Sequence, residues 1–508
     1  MHRSIKFRKI PRGPKPRRTV VVEGLTTEVT FNVHADDVDT MLRAVNERVF
    51  YVTDARTGKL RPPFQPRPYH FERELNKFRL KLLRSVQPSP KWNHETFLSK
   101  YTGRRLTIYS NASELLKSRG ITHADAKIKG FGKPEKTNVS AKPNAVQRVI
   151  SPRSPQYNLA VGLYLKSFEH NIYIGIKRLW GEQTIAKGLN AVKTATLIKH
   201  KFESFVDPVA IGFDAKRFDQ HVSLDALKFE HSIYNAHFKD AELARLLKMQ
   251  LINRVRIRCS NGSVKYEVVG GRMSGDMNTA LGNCLLMCLM MLGFKESLQI
   301  EFKLINNGDD CVVFCERKHG PTILSKAHTY FKNFGFDMVA ESPVYKLEQI
   351  VFCQTQPVWN GERYVMCRDP RITQSKDAIS IRPFMSEEHY RSWLYTCGNG
   401  GISLTAGIPI MQSYYNAMIR NGNGKFIRDV QVYDNGLFKF GDGMTQESRQ
   451  ITSEARYSFY LAFGILPDSQ RAREAVLEKL PLPYVSALDT EGIVQYKQHP
   501  KWFGGITQ

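Results

Sequence analysis

The sequence predicts an α+β fold, because short apolar strand segments alternate with amphipathic helical segments through the middle third of the chain. The part after about residue 361 is more helical in pattern, with Ser453–Phe463 and Ser469–Lys479 as candidate helices. Hydrophobic residues make up 42% of the 508 residues, which is enough to bury a sizeable core. A chain of this length predicts one large multi-lobed enzyme or about three ordinary domains.

The charge balance indicates a polyanionic partner. Lys and Arg number 74 against 48 Asp and Glu, so the formal net charge is +26. Self-repulsion on this scale is tolerated most readily when nucleic acid lies against the surface. A ribosomal-type or coat protein would carry a similar charge, so composition alone does not identify an activity.

The sequence shows neither a secretory signal nor a transmembrane pattern. The first 18 residues contain eight basic residues, no acidic residue and no apolar signal core, which predicts a flexible basic arm for RNA or for an anionic membrane surface. The longest apolar stretch, Thr279–Phe294, is too short to span a bilayer and contains Gly282 and Asn283. We therefore expect no transmembrane segment in this chain.

The eight cysteines predict core packing in a reducing setting rather than a disulfide scaffold. Cys284 and Cys288, like Cys311 and Cys315, are four residues apart, a spacing that also occurs in metal sites. Both pairs lie in apolar runs without nearby histidines, so we expect them to pack in the core.

Carboxylates stand at the end of one apolar strand segment. Val209–Phe213 predicts a buried strand, Asp214 follows it, and Asp219 lies in the turn beyond. A carboxylate at the end of a buried strand is costly to desolvate unless a metal or another cation compensates it. Taken alone, a helix N-cap and a surface acid would explain this pattern equally well.

A second acidic segment is Lys303–Phe314. Asn307-Gly308 between two apolar runs predicts a tight hairpin turn, which places Asp309 and Asp310 side by side at its tip. Adjacent carboxylates repel each other, and a bound cation would relieve the repulsion. A single Gly-Asp-Asp is also common in surface turns.

Between these segments, Gly270–Leu292 runs from a glycine-rich loop into an apolar helix. Ser274 lies in the loop, and Thr279 and Asn283 are four residues apart on one helix face. Polar groups on such a face need partners. Structural hydrogen bonding and contact with a nucleotide both remain open at this point.

The order of the three segments resembles motifs A, B and C of viral RNA-dependent RNA polymerases. The segments GFDAKRFDQHVS, MSGDMNTALGN and NNGDDCVVF are particularly similar to the corresponding motifs of polymerases of the Tombusviridae, including the carmovirus-like members. The resemblance extends over roughly residues 90–420 through YTGRRLTIY (101–109), GFGKPEK (130–136), AVQRVISPR (145–153) and EQIVFCQTQPV (348–358).

The resemblance implies a closed right-hand polymerase fold, with fingers, palm and thumb and an antiparallel palm sheet flanked by helices. The expected parts are a basic N-terminal arm and fingers–thumb bridging region (1–89), fingers with basic loops at the NTP entrance (90–202), a palm (203–360, with a fingers insertion at about 226–270) and a thumb (361–508).

The resemblance also implies template-directed RNA synthesis by two-metal nucleotidyl transfer, replicating a positive-strand viral genome. Asp214 and Asp309 would bridge two Mg²⁺ ions, which Mn²⁺ can replace, and Asp310 would be a nearby acid. Lys346 matches the general acid of motif D, with Lys326 and Lys332 on the preceding helix as alternatives, and Ile350–Cys353 matches the primer-holding hairpin of motif E.

Other residues match the nucleotide-binding positions of the family. Asp219, Ser274 and Asn283, supported by Thr279, would contact the ribose 2′-hydroxyl. The positions that match the basic motif F at the triphosphate channel are Lys133, Lys136, Arg148 and Arg153. Of these, Arg148 is the preferred phosphate clamp because its guanidinium binds two oxygens at once.

The implied partners are the RNA template, the nascent RNA, NTPs, a membrane-anchored viral replicase protein and the host membrane surface. The implied location is the host cytoplasm, in membrane-associated replication complexes. Three alternatives remain: a reverse transcriptase, which would place a bulky aromatic residue near Asp219; a non-catalytic RNA-binding or coat protein; and a metal-dependent nuclease, which would leave Asn283 and the basic channel unexplained.

Overall fold

The computed structural model describes residues 1–13, 17, 19–54, 57–427, 437, 441–445 and 447–484. The α-helices in this part of the chain are α1 (Val38–Val45), α2 (His70–Ser85), α3 (His94–Leu98), α4 (Gly103–Arg119), α5 (Pro155–Trp180), α6 (Ala191–Phe202), α7 (Phe218–His221), α8 (Leu224–Phe238), α9 (Ala241–Lys248), α10 (Thr279–Leu298), α11 (Gly320–Asn333), α12 (Pro370–Asp377), α13 (Glu387–Thr405), α14 (Met411–Arg420), α15 (Ser453–Phe463) and α16 (Pro467–Lys479). The candidate helix at 453–463 is thus confirmed, and the last one begins two residues earlier than expected because Pro467 suits a helix start.

The strands are distributed over one large mixed sheet, one antiparallel sheet and several short pairs. They are β1 (Lys6–Lys9), β2 (Val20–Val21), β3 (Phe31–Asn32), β4 (Val52–Thr53), β5 (Leu60–Arg61), β6 (Ile128–Gly132), β7 (Thr137–Asn138), β8 (Val149–Ile150), β9 (Pro208–Ala215), β10 (Ile252–Cys259), β11 (Gly262–Val269), β12 (Phe302–Asn307), β13 (Asp310–Glu316), β14 (Met338–Ala340), β15 (Thr355–Trp359), β16 (Tyr364–Arg368) and β17 (Ile379–Ser380). The predicted α+β class is therefore confirmed at this level.

The four-stranded sheet has the antiparallel order β12-β13-β9-β14. Its central strands are apolar on both faces, because side chains alternate along a strand and each face has its own core. Val209, Ile211 and Phe213 of β9 pack into a core that includes α5 and α10, whereas Ala210 packs into a second core with α6 and the C-terminal helices. This double burial holds β9 and β13 rigidly.

The five-stranded sheet has the order β1-β11-β10-β6-β8. β10 and β11 form a hairpin that begins with Ile252 opposite Val269, and β6 runs parallel to β10. Val255, Ile257 and Val264 on one face pack against α1 in a third, smaller core. The residues between them are exposed, as the alternation of apolar and charged residues in β10 requires.

The N-terminal segment links the five-stranded sheet to the C-terminal helices. Lys6–Lys9 forms a strand on the edge of β11, and Val20–Val21 pairs with Ile379–Ser380. The expectation of a flexible arm is therefore wrong for Lys6–Lys9, because their backbone groups find partners on an open sheet edge. Residues 14–16 and 18 of the arm lie outside the described residues.

The long apolar helix and the cysteines belong to the interior. Among the described residues, α10 is the one helix long and apolar enough to cross a membrane, and 72% of its apolar window is buried inside the protein. Cys284 and Cys288 of α10 are buried in the same core as Cys311 and Cys315 of β13, and all four are unbridged. The prediction that these cysteines pack in the core is confirmed.

Candidate active site

The register of two central strands brings the predicted acids together. Asp310, the first residue of β13, lies directly opposite Asp214 near the end of β9, and Asp309 occupies the turn before it. Directly opposite residues of an antiparallel pair project from the same face, with Cβ atoms about 4.5–5.5 Å apart. Three carboxylates from two distant parts of the sequence thus meet at one end of the central strands.

The hairpin turn lies one residue later than the sequence predicted. Asn307 pairs with Asp310, so the two turn residues are Gly308 and Asp309. Gly308 has φ +82, the left-handed conformation that a turn with glycine in its first central position requires. Asn306, which the sequence reasoning missed, stabilises the turn: its Nδ2 donates to Gly308 O at 2.8 Å and to Asp310 O at 3.3 Å.

Burial and neighbouring negative charge raise the pKa values of three acids at this site. Burial and the charges of Asp309 and Asp214 raise the pKa of Asp310 to about 6. Burial and the charge of Asp214 raise the pKa of Asp309 as well. Partial burial and Asp214 do the same to the pKa of Glu341, a fourth acid that the sequence reasoning missed. Such crowding fits a site that binds cations.

The donor set suits a hard divalent cation, although no ready-made cage is present. Within the described part of the chain, no three His, Cys, Asp or Glu side chains already surround one point as a metal group would require. Mg²⁺ usually keeps several waters and binds one or two carboxylates together with substrate phosphates, so such a cage is not needed. Asp214 and Asp309 both line the cleft, where a phosphate would meet them.

A second cluster lies beside the acids, on α10 and the loop before it. Asn283 Nδ2 donates to Asp219 Oδ1 at 2.9 Å, and Arg272 Nε donates to Asn283 Oδ1 at 3.0 Å. Together the two bonds determine which way the Asn283 amide points. Ser274 Oγ accepts from Ser151 N at 3.1 Å, and Thr279 Oγ1 donates to two loop carbonyls. The structure therefore brings Asp219, Ser274 and Asn283 to one side of the cleft, with Thr279 holding the loop.

Arg272 is itself held by a buried ion pair that the sequence reasoning missed. Its guanidinium pairs with Glu230 of α8, and both side chains are almost fully buried. Asn278 Nδ2 and Tyr234 Oη each donate to Glu230 Oε1 at 2.8 Å, so the carboxylate is well satisfied. A Cβ on Gly282 would lie 2.4 Å from Arg272 Nη2 and from Glu230 Oε1, which explains the glycine on this helix face.

Arg148 and Lys133 form a basic pair over Glu135. Arg148 Nε donates to Glu135 Oε1 at 2.5 Å, and Lys133 Nζ lies 3.0 Å from Glu135 Oε2. These contacts keep the pKa of Glu135 low despite its burial. Arg148 lines the same cleft as Asp214, Asp219 and Asp309, so it faces the space where a triphosphate would bind.

Arg153 does not face the cleft, which contradicts its expected nucleotide contact. Its Nε donates to Asp276 Oδ1 at 2.5 Å, its Nη2 donates to Asn253 Oδ1 at 2.5 Å, and its side chain is 1% exposed. A guanidinium enclosed in this way is already neutralised and has no room for a phosphate. Arg153 is a structural residue that joins the loop before α5 to the loop before α10.

Lys136 also lies away from the expected position. Its Nζ donates to Lys376 O at 2.7 Å, on α12, and burial lowers its pKa to about 8. The side chain therefore reaches toward the C-terminal helices, and a triphosphate contact by Lys136 is not supported.

The backbone before Lys346 pairs with β9 at a distance from Asp214. Val344 pairs with Ala210, and the chain runs on from there toward Pro208, away from Asp214. At about 3.3 Å per residue, the Cα atoms of Asp214 and Ala210 are about 13 Å apart. The general-acid role of Lys346 therefore stays a prediction.

The segment that matches motif E forms a tight turn beside the acids. Phe352 pairs with Thr355, and the two residues between them, Cys353 and Gln354, both have positive φ. Asn307 Nδ2 donates to Cys353 Sγ at 3.3 Å, which ties this turn to the acidic hairpin. The turn thus belongs to the neighbourhood of the site.

One cleft of about 1280 Å³ is lined by Asp214 and Asp309, by Asp219 and Ser274, and by Arg148. Its lining includes acids on the sheet side, Arg48, Arg148 and Arg272 on other sides, and a proline-rich wall at residues 62–66. A cleft with convergent acids, a polar cluster and basic walls suits a large, anionic, metal-bound substrate.

Comparison with known proteins agrees with this geometry. The family model described as viral RNA dependent RNA polymerase matches residues 4–484. The chain is 44% identical over 466 residues to the RNA-directed RNA polymerase of Melon necrotic spot virus, covering 91% of this chain and 58% of that protein. It is 41% identical over 474 residues to that of Turnip crinkle virus (92% and 60%) and 40% identical over 491 residues to that of Carnation mottle virus (95% and 64%). The chain spans about three fifths of the length of these relatives. By the span of the family match and these identities, the chain belongs to the viral RNA-dependent RNA polymerase family.

Proposed function

We propose that this chain catalyses template-directed RNA synthesis from NTPs and so replicates the genome of a positive-strand RNA plant virus. The relatives are named RNA-directed RNA polymerases of plant viruses. The observation that carries the proposal is the pairing of Asp310 with Asp214, with Asp309 in the adjoining turn, at the edge of a large cleft. The reaction joins a 3′-hydroxyl oxygen to an α-phosphorus and releases pyrophosphate.

Asp214 and Asp309 would hold two Mg²⁺ ions, which Mn²⁺ can replace, with Asp310 beside them. When bound, the ions would activate the attacking hydroxyl and stabilise the charge on the departing pyrophosphate. The raised pKa values of Asp309 and Asp310 support this role, since they reflect negative charge that lacks compensation. The rigid β9 and β13 strands keep the carboxylates in place before substrate arrives.

The polar cluster would select the sugar. Asp219 and Asn283 form a hydrogen-bonded pair that a ribose 2′-hydroxyl can join, whereas a deoxyribose would leave polar groups unpaired. This selectivity favours an RNA polymerase over a reverse transcriptase. Arg148 would exchange Glu135 for the triphosphate, because a bidentate guanidinium binds phosphate and carboxylate in the same way.

The parts of a right-hand polymerase can be proposed for this fold. The four-stranded sheet with α10 and α11 would be the palm, and the five-stranded sheet with α4 and α5 would belong to the fingers. The β15–β16 hairpin packs on α15, so we place it with the thumb rather than dividing the chain at residue 360. Lys6–Lys9 and Val20–Val21 of the N-terminal region would bridge fingers and thumb as β1 and β2. A membrane-anchored replicase protein and a host membrane surface in the cytoplasm complete the proposed setting.

Purified protein with an RNA template, NTPs and Mg²⁺ tests the function. We expect labelled product from the natural chain and at least a hundredfold less from Asp309→Asn, because a metal ligand is lost. The control is Asp468→Asn, which removes an exposed carboxylate that, among the described residues, pairs only with Arg471 on α16. Equal product from the natural chain and Asp309→Asn would refute the site.

A further inference from the structure

A row of basic side chains crosses the outer face of the five-stranded sheet. Lys6 on β1 lies opposite Lys265 on β11, Lys265 lies opposite Arg256 on β10, and Arg256 lies opposite Lys129 on β6. All four residues are exposed. Since neighbouring strands are about 4.8 Å apart, the row spans about 14 Å. We call these four residues the basic row.

The positive charge of the row is not neutralised within the described residues. Nearby, Lys9 pairs with Asp39 and Arg254 pairs with Glu267, but no described acidic side chain is within ion-pair distance of any member of the row. Like charges directly opposite each other destabilise a sheet. An anionic ligand that lies across the strands would relieve this repulsion.

The row faces away from the proposed active site. Tyr266 and Val268 of β11 line the cleft and alternate with Lys265 along the strand; of the residues on the Lys265 face, Val269 at the end of the strand also reaches the cleft. Because successive side chains of a strand point to opposite faces, Lys265 and its partners in the row project from the other side of the sheet. A ligand on the row is therefore outside the cleft.

The surroundings of the row suit a nucleic-acid strand. Arg8 and Arg258, both exposed, lie on either side of Ser263 in the adjacent row. Phe131 follows Lys129 by two residues on the same face of β6 and is 43% exposed. Basic groups that bind phosphates, combined with an exposed aromatic ring on which a base can stack, are the features of single-strand RNA sites.

We propose that the basic row, with Arg8, Arg258 and Phe131, is a second RNA-binding surface that holds a single-stranded segment outside the cleft. The choice of RNA as the polyanion rests on the proposed function. The arginines and Phe131 favour RNA over an anionic membrane, which is the competing occupant that the experiment must separate. Such a surface would keep template near the enzyme between successive catalytic events.

The test removes three charges of the row in Lys129→Gln/Arg256→Gln/Lys265→Gln. The matched control is Lys81→Gln/Arg84→Gln/Lys326→Gln, which removes three exposed charges of α2 and α11 that form no ion pair with any described residue. Binding of a long unstructured RNA is measured over a range of NaCl concentrations, with EDTA and without NTPs. Each lost phosphate contact should reduce the salt slope by about 0.7, so we expect a decrease of about 2 for the row variant and little change for the control.

Phe131→Ala tests the stacking contact separately. We expect an affinity loss of at least about fivefold with an unchanged salt slope, and retention of affinity in Phe131→Tyr. Thermal unfolding should show the row variant to be at least as stable as the natural chain, because repulsion between strands has been removed. A loss of RNA binding would then not be attributable to unfolding.

Three results would overturn the proposal. They are an unchanged salt slope in the row variant, an equal decrease of the salt slope in the control variant, or a row variant that no longer binds phosphatidylserine vesicles but still binds RNA as the natural chain does. The proposed function is judged separately, by nucleotide incorporation at saturating template, where the row variant should keep its kcat. Failure of the natural chain to incorporate NTPs would refute polymerase activity without affecting the RNA-binding comparison.

Discussion

The contact between Arg272 and Asn283 allows a sharp test of sugar selection. Arg272 donates from Nη1 and Nη2 to the carboxylate of Glu230 and from Nε to Asn283 Oδ1, so one planar guanidinium binds both partners. Arg272→Lys keeps the positive charge that buried Glu230 requires. A lysine ammonium lacks the fork geometry, and we expect it to remain with Glu230 and to release Asn283.

The size of the effect follows from the bond that is lost. A hydrogen bond to a charged group contributes about 1.5–3 kcal/mol, which corresponds to roughly a tenfold or greater change in an equilibrium or rate. Without this bond the Asn283 amide can turn its oxygen toward Asp219, where it no longer supports the 2′-hydroxyl. We therefore expect the preference for NTP over dNTP to fall about tenfold, mainly through a lower kcat/KM for the NTP.

The assay compares kcat/KM for an NTP with that for the matching dNTP on one template, alongside thermal unfolding of each variant. Arg254→Lys is the control, because Arg254 forms an exposed pair with Glu267 at 2.7 Å. It should leave both discrimination and stability unchanged. If Arg272→Lys is folded and its preference for NTP stays within twofold of the natural value, the proposed orienting role is wrong.

Three further outcomes are expected. Gly282→Ala should lower the free energy of unfolding by about 1–3 kcal/mol, because its Cβ would crowd the carboxylate of Glu230. Gly13→Ala, whose Cβ would have no described atom within 4 Å, should have no effect in the same denaturant titration. Burial lowers the pKa of His231 to about 4, so the unfolded chain binds the proton more tightly than the folded chain. The contribution of neutral His231 to the free energy of unfolding is therefore complete above about pH 6.5 and is lost toward pH 4, by at most about 3 kcal/mol. His231→Gln should flatten the dependence of the free energy of unfolding on pH in this range. Asp309→Asn should raise the Tm in EDTA, since it removes carboxylate repulsion, and should reduce the rise in Tm that Mg²⁺ causes; an unchanged response to Mg²⁺ would speak against a metal role.

Much of the site was predictable because its chemistry depends on short local patterns. The apolar run before Asp214 and the Gly-Asp-Asp hairpin both indicate strands that end in carboxylates, and the structure pairs those strands. The turn was misplaced by one residue, since a sequence does not show which residue closes the hairpin. The register, with Asn307 opposite Asp310, decided it.

Assignments that depended on long-range packing were less successful. Lys136 and Arg153 each match a family segment, yet the structure places their charged groups against Lys376 O and against Asp276. The direction of a side chain in a loop depends on which element, distant in sequence, packs against that loop. Lys and Arg side chains are long enough for that direction to matter.

The sequence by itself determined the α+β class, the family, the acidic motifs and the strongly basic character of this protein, because periodicity, short motifs and composition are local properties. Only the tertiary structure decided which charges are buried and paired, as with Arg272 and Glu230, and which remain exposed and opposed, as with Arg256 and Lys265. The physical reason is that burial and pairing depend on residues far apart in sequence. Their electrostatic free energy is set only when the elements pack.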